Sequence, residues 1–305
     1  MLRTALGADI CGWLGQDDVV EIMLNPDGRL WLDRLNDGLI DTGLWLGAAE
    51  GERIIRLAAH HLAGEAHAQR PRVSAELPQT GERFEGLLPP VVAAPTFAIR
   101  KPAIRAVALS NYVQQGVMSR QQADLLAAAV ADRRNILVAG ATASGKTTLA
   151  NALLAELSDT GERIVVIEDT VELRCPAPNT VAMRSKDGVA SLTELLRSTL
   201  RLRPDRIIIG EVRGPEALDL IKAWGTGHPG GVATVHAGSA LGALRRLEQL
   251  VAEAAVTVPR ALIAETIDVI AVLTGRGPAR RLSELAAVQD LAGGDYHLTL
   301  LGDSQ

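Results

Sequence analysis

The stretch "RRNILVAGATASGKTTLANALL" (residues 133–154) decides the fold of the second half of the chain. A short apolar run precedes a turn with two glycines and a lysine, and the alanine- and leucine-rich run after the turn is typical of a helix. Residues 140–147 match the pattern G-x-x-x-x-G-K-[ST], and they lie between a predicted strand and a predicted helix, as this pattern requires. We therefore predict a loop that binds the phosphates of a nucleotide.

The chemistry of such a loop comes from its backbone amides and from two side chains. Glycines let successive N–H groups face a phosphate, and the following helix adds the positive end of its dipole. We expect Lys146 to reach the β- and γ-phosphates and to act in catalysis, and the Thr147 hydroxyl to ligate Mg²⁺. The predicted nucleotide-binding residues of this segment are Gly140, Ala141, Thr142, Ala143, Ser144, Gly145, Lys146, Thr147 and Thr148.

The chain around this loop divides into two parts with different patterns. Residues 1–106 contain short strands and one helix without regular alternation, which predicts a small α+β domain. From residue 135 onward, buried strands alternate with helices, so we predict an α/β domain over 119–305 whose mostly parallel sheet is covered on both faces. Residues 107–118 are assigned to a linker, and the following Ser119 and Gln122 match a capping box.

Two glutamates follow predicted strands of the second domain. "VVIEDTVEL" (165–173) places Glu168 at the end of one strand, and "DRIIIGEVRG" (205–214) places Glu211 just after the next. Ligands of parallel sheets lie beyond the carboxyl ends of the strands, so both acids are predicted catalytic residues near the phosphates. Glu211 is also a candidate for the metal site, either through the water shell of Mg²⁺ or as the base for attacking water. The pattern leaves open which glutamate is the general base.

The segment "GTGHPGGVATVHAGS" (225–239) supplies two histidines. His236 follows a predicted strand, where a polar side chain can contact the γ-phosphate and take part in catalysis. His228 lies in a glycine-rich loop, and we predict that it contributes to nucleotide binding. The alternative for each is a purely structural histidine.

The bulk composition limits the classes of protein that fit. The 305 residues carry a net charge of −5, so we expect no direct sequence-specific binding to nucleic acid. The two cysteines match no metal-binding spacing, which favours a reduced, cytoplasmic protein. No uninterrupted apolar run reaches the roughly 18 residues of a membrane span, and peripheral attachment to a membrane stays open.

Four segments together carry a family resemblance: "GATASGKTT", "VVIEDTVEL", "RLRPDRIIIGEVRGPEA" and "GTGHPGGVATVHAGS", in this order. They resemble the Walker A motif, the Asp box, the Walker B motif and the His box of the secretion traffic ATPases. That family drives type II secretion, type IV pili and type IV secretion. The front end, "VVEIMLNPDGRLWLDRL", is similar to TrbB-type conjugal transfer ATPases of the type IV secretion branch. Gly210, at a place where Walker B strands usually end in aspartate, is normal for this family.

The resemblance implies properties that the spacing does not show. The second domain would be a RecA-like P-loop domain that hydrolyses ATP with Mg²⁺, in a homohexameric ring on the cytoplasmic face of the inner membrane. The partners would be inner-membrane components of a type IV secretion or mating channel. Nucleotide would lie between the two domains, where arginines of the N-terminal domain would reach the γ-phosphate. The matching positions for these catalytic arginines are Arg83 and Arg100.

Three alternatives remain at the level of sequence. A pilus retraction or type II secretion ATPase is a motor of the same family, and neighbouring genes would distinguish it. A P-loop kinase for a small molecule would need an acceptor pocket and a mobile lid, and it would be a monomer. A non-hydrolysing assembly scaffold would bind ATP in stoichiometric amounts without releasing phosphate.

Overall fold

The computed structural model describes residues 1–35, 37–61, 64–78, 81–101, 108–186 and 188–302. The chain divides into two compact units, Met1–Ile104 and Arg105–Gln305. This boundary lies close to the predicted domain end at residue 106, which itself falls outside the described residues. Within the described part of the chain, no helix has the length and apolar character that crossing a membrane requires.

The first unit is an antiparallel sheet with two helices. The strands are hydrogen-bonded in the order β3-β2-β1-β6-β5-β4. The helices are α1 (Leu2–Leu14) and α2 (Ala48–His61), and the strands are β1 (Val19–Leu24), β2 (Arg29–Arg34), β3 (Gly38–Trp45), β4 (Arg72–Glu76), β5 (Arg83–Leu87) and β6 (Thr96–Arg100).

Residues 18–35, in which Pro-Asp-Gly separates two apolar runs, predict a hairpin at the start of this sheet, and the structure contains it. β1 and β2 pair across a turn in which Gly28 has a φ of 88° and its N–H donates to the Asn25 carbonyl at 2.9 Å. Glycine is favoured there because other residues rarely adopt positive φ. The sequence analysis did not predict α1, although Leu2, Leu6 and Ile10 are buried along one side of it.

The two faces of the N-terminal sheet differ in polarity because side chains alternate along each strand. One face, with Ile22, Phe84 and Ile99, joins the core that also contains Ile54 and Ile55 of α2. The other face carries a row of charged residues that are direct partners across neighbouring strands. In order from β2 to β4, the row is Asp33, Glu21, Arg100, Arg83 and Glu76.

The second unit is a three-layer α/β structure. Its helices are α3 (Leu109–Gln114), α4 (Arg120–Ala131), α5 (Lys146–Ala155), α6 (Leu192–Thr199), α7 (Glu216–Gly225), α8 (Ala240–Ala252) and α9 (Arg260–Thr266), with a 3₁₀ turn at Gly277–Ala279. Its strands are β7 (Ile136–Gly140), β8 (Ile164–Glu168), β9 (Thr180–Arg184), β10 (Arg206–Ile209), β11 (Val232–Val235), β12 (Val269–Thr274), β13 (Arg281–Ala292) and β14 (Asp295–Leu300).

The strand order of this sheet is β14-β13-β12-β7-β11-β10-β8-β9. The pairs from β12 to β9 are parallel, and β12-β13 and β13-β14 are antiparallel, so the sheet is mixed. Leu137 and Ala139 pack in the same core as α6–α9, whereas Ile136 and Val138 pack with α3–α5 on the other face. Burial on both faces explains the continuous apolar runs of the sequence.

Some of the local sequence patterns in the second unit predicted its structure, and others did not. The capping box at Ser119 and Gln122 is confirmed at the start of α4. In the tail, Gly293-Gly294-Asp295 predicts a turn that closes a hairpin, and the structure contains this hairpin as β13–β14. The described part of the segment assigned to a linker packs in the second unit, where α3 contributes Leu109 to the core. The edge strand β9 was missed because its residues are half-buried or exposed and show no long apolar run.

Asn135 joins three segments at the amino end of β7. Its side chain is buried, and Oδ1 accepts from the N–H groups of Gly230 and Gly231 at 2.9 and 3.1 Å. Its Nδ2 donates to the Thr266 carbonyl at 2.8 Å. Because buried amides need partners, this one side chain fixes the loop before β11 and the end of α9 against β7.

The substitution Asn135→Ala is expected to destabilise the second unit by roughly 2–4 kcal/mol, because it leaves buried donors and an acceptor without partners. Urea unfolding monitored at Trp224, which is buried in this unit, measures the effect. Asn179→Ala is the matched control, since Asn179 is exposed and bonds to Arg163 at the surface. Equal midpoints for the two variants would contradict this role of Asn135.

Candidate active site

The loop between β7 and α5 has the backbone of a phosphate cradle. Ala143 and Gly145 have φ values of 62° and 97°, and conformations of this kind make successive N–H groups face one anion. Ala141 and Thr142 are exposed, so the loop is open to a ligand. A Cβ at Gly140 would lie 2.6 Å from the Leu273 carbonyl oxygen, so only glycine fits where the loop leaves the strand.

Lys146 is the first residue of α5, and its side chain folds back over the loop. The residue is buried, and Nζ donates to the Ala141 carbonyl at 3.1 Å and lies 3.4 Å from Nδ1 of His236. An ammonium group that leaves water needs acceptors of this kind. The lysine is therefore already positioned at the mouth of the loop, where the sequence analysis places the β- and γ-phosphates.

His236 connects Lys146 to Glu211. The imidazole Nε2 lies 2.6 Å from Oε1 of Glu211, and Nδ1 faces the lysine ammonium. In a neutral imidazole with its proton on Nε2, Nδ1 is free to accept from the lysine, and the protonated Nε2 faces the Glu211 carboxylate. Burial and the Lys146 charge lower the pKa of His236 below its ordinary value of 6.5, against the opposing effect of Glu211. The neutral tautomer is thus the stable form of the ligand-free site at neutral pH.

Strand order brings these residues together. Lys146 follows β7, His236 follows β11 and Glu211 lies one residue beyond Gly210 at the end of β10, and these three strands are parallel neighbours. The carboxyl ends of parallel strands meet at one edge, where ligands bind in open α/β sheets. The predicted cluster of Lys146, Glu211 and His236 is accordingly present at that edge.

Glu168 ends β8 at the same edge, but its carboxylate is engaged by the chain that follows. Oε1 accepts from the N–H groups of Glu172 and Leu173 at 3.0 and 2.8 Å, and the residue is buried. Burial raises the pKa of Glu168, and the two backbone N–H groups partly counteract this effect. A Cβ at Gly210 would lie 3.0 Å from the Glu168 Cγ, which explains the glycine at the end of β10.

Two residues that the sequence analysis did not select hold the loops of this edge. The buried Asn151 on α5 donates to the Glu172 carbonyl at 3.0 Å and accepts from the Arg174 N–H at 2.7 Å. Glu216 accepts from the N–H groups of Arg213 and Gly214 at 2.7 and 2.9 Å. Asn151 lies outside the four quoted segments and Glu216 lies near the end of one of them, and only their burial, seen in the structure, identifies them.

The residues present fit the magnesium ion that the motif requires. Thr147 lies in the first turn of α5, beside the loop, and Glu211 Oε1 is buried without a well-aligned hydrogen bond among the described residues. Hydroxyl and carboxylate oxygens are the donors that Mg²⁺ prefers. Within the described part of the chain, no group of three or more His, Cys, Asp or Glu side chains forms a metal cage.

The structure does not bring His228 to this edge. His228 precedes β11, whereas His236 follows it, so the two histidines lie at opposite ends of the strand. The Nδ1 atom of His228 is 2.9 Å from the Pro204 carbonyl, in the segment before β10. The nucleotide-binding role predicted for His228 stays a prediction, and the residue lies at the end of β11 opposite to the edge that carries the P-loop.

Arg83 and Arg100 are neighbours in the first unit. They are direct cross-strand partners on β5 and β6, and Glu21 of β1 lies opposite Arg100 on its other side. Burial raises the pKa of Glu21, and the positive charges of Arg100 and Arg83 oppose that effect. The structure thus places both predicted arginines side by side on the polar face of the N-terminal sheet.

Comparison with known proteins shows the family of this chain. Residues 53–276 match the model of the family described as "Type II/IV secretion system protein". The chain belongs to this family. A probable conjugal transfer protein TrbB of Sinorhizobium fredii is 48% identical over 299 residues, which cover 97% of this chain and 91% of the relative. The type IV secretion system protein PtlH of Bordetella pertussis is 35% identical over 311 residues, covering 90% of this chain and 91% of the relative.

A solved structure shows the same fold. The ATPase DotB of Legionella pneumophila superposes with a TM-score of 0.61 and 21% sequence identity, covering 86% of this chain and 73% of that protein. The region matched by the family model contains the P-loop, Glu168, Glu211 and both histidines of the His-box segment. The family resemblance stated from the four sequence segments is confirmed.

The pKa of His236 in the nucleotide-free protein is expected to lie below 6.5, because Lys146 and burial disfavour the imidazolium. Glu211→Gln is expected to lower it further, since this variant removes the negative charge of Glu211, which raises the pKa of His236. An NMR titration of the histidine Cε1–H signals measures the value, with His236→Gln used to assign the resonance. A pKa above 6.5, or a rise on Glu211→Gln, would contradict the described contacts.

Proposed function

We propose that this protein is an ATPase that powers type IV secretion or conjugal transfer, either for translocation of substrate or for assembly of a pilus. The main evidence for the proposal is that Lys146 contacts His236, and His236 contacts Glu211, beside a P-loop. The names of the relatives, a conjugal transfer protein and a type IV secretion protein, support the process.

The second unit is proposed to be a RecA-like P-loop domain. Its support is a central parallel sheet in which the P-loop strand β7 lies between β11 and β12, with helices on both faces. We keep the division into an N-terminal domain at 1–106 and an ATPase domain at 119–305. The boundary between the compact units at residues 104 and 105 supports it. Residues 107–118 would then connect the domains, with α3 docked on the second.

The P-loop residues would neutralise and position the triphosphate. The N–H groups of residues 141–147 donate to phosphate oxygens, and Nζ of Lys146 exchanges the Ala141 carbonyl for the β- and γ-phosphates. The Thr147 hydroxyl would hold Mg²⁺ near Glu211, and the ion would supply charge neutralisation for the phosphates. Thr148 follows within the first turn of α5, where its N–H is available to the phosphates.

Glu211 is the group that we assign as general base for the attacking water. Glu211 contacts His236, which in turn contacts Lys146 of the loop. The Glu168 carboxylate, in contrast, accepts hydrogen bonds from the amides of residues 172 and 173. Glu168 then keeps the loop after β8 in place, and its side chain packs against Gly210, the residue before Glu211. His236, neutral and in contact with both Lys146 and Glu211, would report loss of the γ-phosphate.

Arg83 and Arg100 are proposed to complete the neutralisation of the negative charge on the γ-phosphate when the two domains close. Their adjacency on one sheet face supports a joint role, because one phosphate can accept from both guanidinium groups. Loss of the γ-phosphate would remove their partner, so hydrolysis would free the N-terminal domain to move. Bond cleavage would be coupled in this way to mechanical work.

The proposed assembly is a homohexamer on the cytoplasmic face of the inner membrane. Its partners would be inner-membrane components of the secretion or mating channel. The family match supports this assembly, and no described helix is suited to spanning the membrane, so attachment would be peripheral. Sizing the protein with and without ATP and Mg²⁺, with phosphate release measured in parallel, tests the ring and the activity together. A monomer that transfers phosphate to a metabolite would contradict both.

Lys146→Ala is expected to reduce ATP turnover by about 10²–10³-fold or more, because it removes a preorganised positive charge from the transferring phosphate. Phosphate release measures turnover, and circular dichroism checks the fold. Lys222→Ala, at an exposed position on α7, is the matched control and should turn over normally. Normal activity in the Lys146 variant would exclude the site.

Arg100→Ala is expected to leave nucleotide affinity within a few-fold of the wild type while lowering turnover by about 10³-fold, as for arginines that act only in the transition state. Equilibrium binding and steady-state turnover, measured on the same sample, separate the two effects. Arg72→Ala on β4 is the control, because Arg72 is exposed and pairs with Glu85. Unchanged turnover would remove Arg100 from the mechanism.

A further inference from the structure

The loop after β12 lies beside the P-loop. β12 is the parallel neighbour of β7, so residues 275–280 leave the sheet at the same edge as residues 140–147. A 3₁₀ turn at Gly277–Ala279 folds this loop tightly, and a Cβ at Gly275 would lie 2.0 Å from the Ala279 carbonyl oxygen. The loop therefore presents its last residue, Arg280, at a defined place.

Arg280 packs directly on the P-loop glycine that precedes α5. A Cβ at Gly145 would lie 3.0 Å from Nε and 3.1 Å from Cζ of Arg280. The guanidinium therefore occupies the space of the missing side chain at 145, beside the first amides of α5. No motif of the sequence points to this residue, and none of the roles assigned above uses it.

The described residues around Arg280 provide no acceptor for its buried Nε donor. Nε is buried and has no hydrogen-bond partner among the described residues, and in that part of the chain no carboxylate forms an ion pair with Arg280. The titratable group that senses its charge is Tyr112 of α3: burial raises the pKa of the phenol, and Arg280 acts in the opposite direction. A buried guanidinium donor without an acceptor costs free energy, which an incoming anion would recover.

The local electrostatics specify the charge of the missing partner. Arg280 lies against the amino-terminal end of α5, which carries the positive end of the helix dipole, and Lys146 begins the same helix. The guanidinium and the helix terminus both carry positive potential, which an anion bound beside them would balance. A planar guanidinium matches two phosphate oxygens, and it remains charged at any physiological pH.

We propose that Arg280 is a further phosphate-binding residue of this site, and that it donates to the α- or β-phosphate, the groups that ATP and ADP share. The proposal rests on the nucleotide site of the proposed function and adds a ligand that the P-loop motif does not contain. Its position at Gly145 assigns it to the inner phosphates, whereas Lys146 serves the outer ones. Arg280 then retains ADP after the γ-phosphate has left.

Equilibrium binding of Mg²⁺-free ADP to the full-length protein tests this role. Arg280→Ala is expected to weaken ADP binding by about tenfold or more, the usual effect of losing a hydrogen bond to a charged group. Arg280→Lys should fall between the variant and the wild type, because it keeps the charge without the fork of donors. Arg281→Ala is the matched control, since Arg281 is the next residue and is exposed, and its affinity should stay within twofold.

Two further readouts separate a phosphate contact from other roles. Inorganic tripolyphosphate should lose affinity for Arg280→Ala by the same factor as ADP; a loss confined to ADP would assign Arg280 to the base or sugar and overturn the proposal. The melting temperature without ligand should stay near that of the wild type. A large drop, not rescued in Arg280→Lys, would show a structural role instead. Unchanged ADP affinity overturns the proposal alone, whereas a wild type that binds no nucleotide overturns the proposed function.

Discussion

The contact of Lys146 with the Ala141 carbonyl and His236 is the interaction on which the site depends. A buried ammonium is costly unless acceptors surround it, so the loop and the imidazole must hold it in place. The same acceptors are weaker partners for a lysine than a phosphate would be. The ligand-free site is thus organised around a charge that an incoming triphosphate can take over with little rearrangement, as preorganised electrostatic sites require.

This arrangement depends on the order of the strands. Placing β7 between β11 and β12 brings His236 to one side of the P-loop and Arg280 to the other. Placing β10 beside β11 adds Glu211 behind His236. Parallel strands that end at one edge combine residues from distant parts of the chain, and short loops fix their positions. Gly140 and Gly210 permit this packing, because a side chain at either position would overlap Leu273 or Glu168.

The sequence predicted the parts whose physical cause is local. The P-loop, the capping box at Ser119 and the hairpin turned at Gly28 all follow from residue types at fixed spacing, and the structure contains each of them. The family followed from four segments in order.

Features that depend on tertiary packing were not predictable. α1 and β9 carry weak patterns, and the Glu168 carboxylate is engaged by amides of residues 172 and 173, whose placement depends on Asn151. The location of His228 follows from the direction of β11, which lies between the two histidines of the segment, and Arg280 approaches Gly145 from another strand.

The loop is proposed to hold Lys146 until phosphate replaces its acceptors. A crystal structure with Mg²⁺ and a non-hydrolysable ATP analogue would show this exchange. We expect the analogue's β- and γ-phosphates to lie within the loop at residues 140–147, with Nζ of Lys146 moved from the Ala141 carbonyl onto their oxygens. A bound analogue whose phosphates lie elsewhere, with the bond from Lys146 to Ala141 intact, would contradict it.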